Sequence, residues 1–128
     1  MGLLVDTNCY AELTANTYAA RDLLESASEV WLSVITVGEL LAGFAKGKRQ
    51  QQNVRRLSEL LNLQGVGVLT IDRETAERYA TIWQALSIGG NQIPTNDIWI
   101  AAQALQHNLT LHSRDTHFHH IKGLDIVG

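Results

Sequence analysis

The sequence predicts an α/β protein, a three-layer α/β/α sandwich around a central, mostly parallel sheet of four to five strands. Short apolar segments, typical of strands, alternate along the chain with longer segments of helical periodicity. The strand segments do not alternate between apolar and polar residues, which indicates a sheet that is buried on both faces. Helices on both sides of a parallel sheet account for that burial.

The first half of the chain contains two predicted strands and three predicted helices. The apolar segment "GLLVD" (2–6) predicts a buried strand, and "NTYAARDLLESAS" (16–28) carries apolar residues at helical spacing. "VWLSVI" (30–35) predicts the second strand. Two helices follow it, over 36–47 and 48–63.

The second half repeats the alternation. Asp72 can cap a helix over 73–86, which the pair Gly89-Gly90 ends. Pro94 lies just ahead of the first turn of the last helix, over 95–105. Three apolar segments complete the strands, "VGVLTI" (66–71), "LTLHS" (109–113) and "LDIVG" (124–128).

Length and composition favour a single globular domain spanning residues 1–128. Hydrophobic residues make up 45% of the chain and charged residues 18%, which excludes a disordered chain. No window approaches the roughly 18 apolar residues of a membrane span, and no signal-peptide pattern opens the chain. The single cysteine, Cys9, cannot form an internal disulfide, and we expect it to be a packing residue. These features predict a cytoplasmic protein.

Four acidic residues follow the predicted strands. They are Asp6 at the end of the first strand, Glu39 one helical turn after the second, Asp97 in the first turn of the last helix and Asp115 two residues after the fourth strand. Parallel strands end at one edge of a sheet, where ligands bind in folds of this class. We therefore expect the four carboxylates to gather at that edge.

Each acid also has a purely structural interpretation. Asp6 and Asp115 can stabilise turns or caps, and Glu39 is the last residue of "TVGE", which matches a capping box. Asp97 lies where a helix dipole favours acids and eases their ionisation. The joint placement of all four at the same strand ends favours a functional site.

Clustered carboxylates repel one another, so they bind protons or are neutralised by a cation. Hard oxygen ligands suit Mg²⁺ and also Mn²⁺. Such a metal can polarise a phosphoryl oxygen, lower the pKa of a bound water and stabilise a leaving oxygen. The constellation therefore predicts hydrolysis of a phosphodiester.

The net charge of −3 does not indicate a nucleic-acid-binding protein by itself. Without the four site acids, however, ten bases face nine acids, a balance of +1. If 48–61 is one helix, four of the bases share a stripe about 120° wide at 100° per residue. These bases are Lys48, Arg49, Arg55 and Arg56. The stripe can follow a phosphate backbone, and a solvated helix face is the alternative.

Four segments of the chain resemble the PIN domain family, and within it the VapC-like toxins of bacterial and archaeal toxin–antitoxin pairs. The segments are "LLVDTN", "SVITVGELLAG", "TNDIWIAAQAL" and "LHSRDTHFHHIKGLDIV", in the family's order and across nearly the whole chain. The resemblance implies a metal-dependent endoribonuclease, a homodimer, and inhibition by a small VapB-like antitoxin whose tail enters the active groove.

The resemblance also implies roles for particular residues. The four family acids correspond to Asp6, Glu39, Asp97 and Asp115 as ligands of Mg²⁺ or Mn²⁺. The family's supporting polar positions correspond to Thr7, Asn8 and Ser113. His117 matches a His-Phe pair that is common in the family.

Other functions remain as alternatives. A housekeeping RNA-processing nuclease or a non-catalytic RNA-binding relative would have the same fold, although loss of an acid would favour the latter and none is lost. A receiver-like domain also gathers acids around Mg²⁺, but no lysine ends the last strands. A dinucleotide-binding domain is disfavoured because no G-x-G-x-x-G follows a strand. The histidines of the last segment invite a zinc site, but structural zinc sites usually draw on several cysteines.

Overall fold

The computed structural model describes all residues, 1–128, and contains one five-stranded sheet. Its strands are β1 (Gly2–Val5), β2 (Glu29–Ser33), β3 (Val66–Leu69), β4 (Thr110–His112) and β5 (Ile126–Val127). They lie in the order β3-β2-β1-β4-β5, and every neighbouring pair is parallel. The predicted parallel sheet is confirmed, with all five strands present.

Six α-helices and two short 3-10 helices connect the strands. The α-helices are α1 (Tyr10–Thr14), α2 (Tyr18–Ser26), α3 (Val34–Ala45), α4 (Gln50–Leu61), α5 (Arg73–Ile88) and α6 (Thr95–Gln106). The 3-10 helices are Thr7–Cys9 and Thr116–His120. A membrane-spanning helix is not found among them.

Two apolar cores, one on each face of the sheet, hold the three layers together. Alternate residues of a strand point to opposite faces, so Leu3 and Val5 lie on one side and Leu4 on the other. Leu3 and Val5 pack with side chains of α1, α3 and α4, and Leu4 packs with side chains of α5 and α6. The predicted α/β/α sandwich is therefore confirmed.

The strand order places a crevice beside β1. The chain moves outward from β1 to β2 and β3, and later returns to place β4 on the other side of β1. Ligands bind at such reversals of strand order, outside the carboxyl ends of the strands. The backbone N–H of Asp6 donates to the carbonyl of His112 at 3.0 Å, which extends the β1–β4 ladder to this edge.

Two boundaries differ from the prediction in ways that matter for the site. Helix α3 begins two residues early, because Ser33 ends β2 and its hydroxyl accepts from the Ile35 N–H at 3.0 Å. Glu39 is thus the sixth helical residue, so the capping-box interpretation is wrong. Helix α4 begins at Gln50, so Lys48 and Arg49 precede it, and a continuous stripe of four bases on one helix is also wrong.

Candidate active site

The four predicted acids lie at the carboxyl edge of the sheet. Asp6 directly follows β1, Glu39 lies on α3, Asp97 lies in the first turn of α6, and Asp115 follows β4. Three polar residues connect these acids to one another by short contacts, namely Thr7, Ser113 and His117.

Asp6 is the most deeply buried of the four acids, with 3% of its surface exposed. Its Oδ1 accepts a hydrogen bond from the Thr7 backbone N–H at 2.8 Å, and its Oδ2 accepts one from the Ser113 hydroxyl at 2.9 Å. The Ser113 oxygen also accepts from the backbone N–H of Asp115 at 3.0 Å. Ser113 therefore fixes the orientation of Asp6 and the start of the segment that carries Asp115.

Thr7 connects Asp6 to Glu39. The Thr7 hydroxyl donates to Oε1 of Glu39 at 2.8 Å and lies 3.2 Å from the hydroxyl of Thr36, which is fully buried on α3. The hydrogen bond from Thr7 holds the exposed Glu39 side chain toward the strand edge. Asn8, the third predicted supporting residue, is exposed and makes no side-chain hydrogen bond to the acids.

Asp97, Asp115 and His117 form a second group of contacts within the site. Nδ1 of His117 lies 3.1 Å from Oδ2 of Asp97 and 3.0 Å from Oδ1 of Asp115. The backbone supports the arrangement, since Asp115 caps the 3-10 helix Thr116–His120 by accepting from the His117 N–H at 3.0 Å. The two carboxylates come from distant parts of the chain and meet at one imidazole.

Burial perturbs two of the acids. Desolvation raises the pKa of Asp6 above its ordinary value, the bonds from Ser113 and Thr7 lower it, and the charges of Asp115 and Glu39 raise it again. Desolvation also raises the pKa of Asp97, although the His117 contact lowers it. The expectation that Asp97 ionises easily at this helix end is therefore wrong, because desolvation, together with the charges of Asp6 and Asp115, outweighs the His117 contact and raises its pKa.

The donor set fits a divalent cation. In octahedral coordination with bonds of about 2.1 Å, adjacent ligand atoms lie about 3.0 Å apart. The two His117–carboxylate separations, 3.1 and 3.0 Å, match that spacing. The atoms of Asp97, Asp115 and His117 that could bind a metal all lie within 4.8 Å of one another. A cation here would also offset the charges of Asp115 and Glu39, which add to the rise that desolvation causes in the pKa of Asp6.

His117 contacts two of the acids, although the sequence analysis assigned it no role in the site. The His-Phe pair was a signal for it, but the contact itself depends on the 3-10 helix, which places its ring between two acids. Phe118 of that pair is fully buried and anchors the turn. His119 and His120 are exposed and lie outside the cluster.

Of the four predicted bases, Arg56 is the one that shares a cavity with Thr7, the residue that contacts Asp6 and Glu39. It lines a cavity of about 340 Å³ together with Thr7, Tyr10 and Asn53. Lys48 and Arg49 border a separate surface depression, which is formed by the turn before α4 and by the first residues of α4. Arg55 is exposed on α4 and borders neither cavity.

Comparisons with known proteins agree with this geometry. The family model of the PIN domain matches residues 3–124. VapC ribonuclease Y4jK of Sinorhizobium fredii is 31% identical over 98% of this chain and 95% of that protein.

Two solved structures extend the likeness to the fold. VapBC-1 from nontypeable Haemophilus influenzae is 26% identical with a TM-score of 0.87, covering 99% of this chain and 97% of that one. A toxin–antitoxin complex from Klebsiella pneumoniae is 27% identical with a TM-score of 0.71, covering 98% and 96%. By its sequence and its fold, this chain belongs to the PIN domain family.

Proposed function

We propose that this chain is a divalent-metal-dependent endoribonuclease and the toxin of a toxin–antitoxin pair. The observation that carries the proposal is the cluster at the edge of β1 and β4, where three carboxylates are held by Ser113 and His117. The names of the relatives support the reaction and the pairing, since one is a VapC ribonuclease and another a toxin–antitoxin complex. Four acids at the crevice of a parallel sheet suit hydrolysis of a phosphodiester.

In this proposal Asp6, Asp97 and Asp115 bind the metal, and Glu39 binds it directly or through water. The metal, when bound, polarises a phosphoryl oxygen and lowers the pKa of water. Asp6 is held at both oxygens and cannot rotate away, so it presents a fixed ligand. Thr7 holds Glu39 toward the same edge. Because the pKa values of Asp6 and Asp97 are raised, protons compete with the metal for these two acids more strongly than they would for exposed carboxyls.

His117 bears on the choice of metal. An imidazole nitrogen is a poor ligand for Mg²⁺, which prefers oxygen, and a better one for transition metals. With Nδ1 of His117 at ligand spacing from two carboxylates, the site should bind Mn²⁺ more tightly than Mg²⁺. Mg²⁺ would then occupy the same site through the carboxylates alone.

The substrate and the partners are also part of the proposal. Arg56 would contact RNA phosphates beside the acids, with weaker contributions from Arg55, Lys48 and Arg49. Inhibition by a small VapB-like antitoxin follows the toxin–antitoxin relatives, and a cytoplasmic location follows that role. A homodimer agrees with exposed Val34 and Leu41, which lie seven residues apart on one side of α3.

Cleavage of RNA by the purified protein tests the proposal. We expect cleavage with Mn²⁺ or Mg²⁺, none with EDTA, and a loss of about 1,000-fold or more in Asp97→Asn, because a metal contributes several kcal/mol to such a transition state. Asp22→Asn, an exposed acid on α2, is the matched control and should cleave normally. Wild-type rates in Asp97→Asn would refute the site, and metal-independent cleavage would refute the mechanism.

A further inference from the structure

A second cluster of metal-binding side chains lies behind the acids, on the α1 side of the sheet. Cys9, Glu12 and His112 each offer one ligand atom, and these atoms all lie within 4.8 Å of one another. Cys9 is 1% exposed and His112 is 6% exposed. None of these three residues belongs to the cluster of Asp97, Asp115 and His117.

The fold brings the three side chains together from two segments. Cys9 ends the 3-10 helix Thr7–Cys9, and Glu12 lies three residues later in the first turn of α1, so both can face the same side. His112 pairs in register with Val5, which places its ring on the face of the sheet that α1 covers.

The polar atoms of this cluster are incompletely satisfied by the protein. Nε2 of His112 lies 3.2 Å from Oε2 of Glu12, but its Nδ1 is buried and has no hydrogen-bond partner. A cation bound at Nε2 would leave this Nδ1 unpartnered, so the atoms that face the proposed site are Nε2 of His112, Oε2 of Glu12 and the Cys9 sulfur. The other oxygen of Glu12 forms an ion pair with Arg114, so Oε2 is the oxygen that faces His112.

We propose that Cys9, Glu12 and His112 form a binding site for a thiophilic divalent cation of the Zn²⁺ class. A thiolate, an imidazole and a carboxylate are the ligands that Zn²⁺ prefers, and three protein ligands leave its fourth position for water. In tetrahedral coordination with bonds of about 2.05 Å, N and O ligands lie about 3.3 Å apart, close to the observed 3.2 Å. The thiolate and carboxylate together neutralise the divalent charge.

Glu12 offers the cation a route of entry, and Arg114 supports Glu12 from outside the cluster. Glu12 is 33% exposed at its side chain, so an ion can enter past it, and the Cys9 proton leaves to solvent on binding. Arg114 would orient the carboxylate from outside, as partners of metal ligands commonly do. Hard Mg²⁺ would not compete for the thiolate.

The site is coupled to Asp6 through the backbone. The N–H of Cys9 donates to the Asp6 carbonyl at 2.9 Å, and the Asp6 N–H donates to the His112 carbonyl at 3.0 Å. A cation shared by Cys9 and His112 would tie the segments on either side of Asp6 together. We therefore expect bound Zn²⁺ to raise the Tm of the folded chain.

Titration with Co²⁺, a spectroscopic substitute for Zn²⁺, tests the site. We expect a thiolate-to-cobalt charge-transfer band in the near ultraviolet that saturates at one Co²⁺ per chain and is bleached by Zn²⁺ but not by excess Mg²⁺. Cys9→Ser should abolish the band, and His112→Gln should weaken Co²⁺ affinity about tenfold or more. Asp97→Asn, which alters only the other cluster, should keep the band.

Two outcomes would overturn the proposal. One is the absence of the band in folded wild-type protein. The other is an unchanged Co²⁺ affinity in folded His112→Gln, which would mean that the thiolate binds the ion alone. Because the readout is spectroscopic and the control lies in the carboxylate cluster, neither outcome depends on whether the chain cleaves RNA.

Discussion

At the scale of single residues, Ser113 connects two of the acids. One hydroxyl donates to the buried carboxylate of Asp6 and accepts from the backbone of Asp115, so it sets the distance between two acids from different segments. Ser113 is itself 3% exposed, and water cannot easily replace it. Removing a partner from a buried polar group costs about 1–3 kcal/mol.

We therefore predict that Ser113→Ala lowers Mn²⁺ affinity about 10- to 100-fold, as the loss of a supporting partner typically does. It should also lower the free energy of unfolding by about 1–3 kcal/mol. Calorimetric titration and urea unfolding measure the two effects. Ser58→Ala, an exposed serine on α4, is the control. Equal Mn²⁺ affinity in Ser113→Ala would show that Asp6 does not need Ser113 for its orientation.

His117 gives the second prediction at this scale. If Nδ1 binds the metal, His117→Gln should weaken Mn²⁺ about tenfold or more while changing Mg²⁺ affinity much less. Nitrogen hyperfine coupling in the Mn²⁺ electron paramagnetic resonance spectrum should disappear in the same variant. His119→Gln alters an exposed histidine of the same 3-10 helix and should do neither. An equal loss for both metals would indicate that His117 only positions the carboxylates.

Residue types and spacing predicted where the four acids lie. Side chains that follow parallel strands meet at one edge of the sheet, and this does not depend on the exact residue at which each helix begins. The contacts of Thr7 and Ser113 also agree with their predicted supporting places. Asn8 does not make such a contact, since it points to solvent from the 3-10 helix. Sequence spacing could not predict that His117 contacts two acids, because the position of its ring depends on the path of the 3-10 helix that carries it.

At the scale of elements, helix ends were harder to predict than helix identities. The apolar segment that continues to Ile35 predicts a strand over 30–35, but β2 ends at Ser33, whose hydroxyl caps α3, and Val34 and Ile35 belong to the helix. Asp72 was predicted correctly as a cap, and it shares a capping box with Thr75. Helix α1 has five residues, too few to show a helical period in the sequence.

Helix α4 carries the prediction about RNA binding. Arg55 and Arg56 are adjacent and exposed, but only Arg56 borders the cavity that Thr7 lines. Arg56→Ala should weaken binding of single-stranded RNA and reduce the salt slope by about 0.7, the value for one phosphate contact. Arg55→Ala is the matched control and should change the RNA affinity and the salt slope less than Arg56→Ala does.

The RNA affinity of these variants is best measured in an Asp97→Asn background, where cleavage cannot consume the ligand. Equal effects of the two arginine substitutions would favour a diffuse basic surface over a defined contact. No effect of either would remove α4 from the RNA-binding surface.

At the scale of the whole molecule, parallel topology decides where charge accumulates. The sequence patterns predicted the sheet and its buried faces, but not the order β3-β2-β1-β4-β5, because short strands of similar composition do not specify their neighbours. That order places β1 and β4 side by side and brings Asp6 and Asp115 to one crevice. The folded chain therefore concentrates acids that the unfolded chain keeps apart.

This concentration makes stability depend on pH and metal. A carboxyl whose pKa is raised by folding binds more protons in the folded state, so its contribution to stability falls as pH rises from the unfolded pKa, 3.8, through the raised pKa. Asp72, with a lowered pKa, has the opposite sign, and its contribution is lost as pH falls. The difference in stability between wild type and Asp97→Asn isolates the contribution of Asp97 from those of Asp72 and the other carboxyls.

We predict that, in EDTA, Asp97→Asn has a higher Tm than wild type at neutral pH, and that this advantage shrinks as pH falls toward 3.8. The amide resembles the neutral carboxyl that the buried position favours. Saturating Mn²⁺ should reverse the order, because only wild type gains the full binding free energy. Scanning calorimetry across pH, with Asp22→Asn as control, measures both effects. An Asp97→Asn protein that is less stable than wild type in EDTA at neutral pH would mean that the His117 contact outweighs desolvation and that the ionised pair stabilises the metal-free fold.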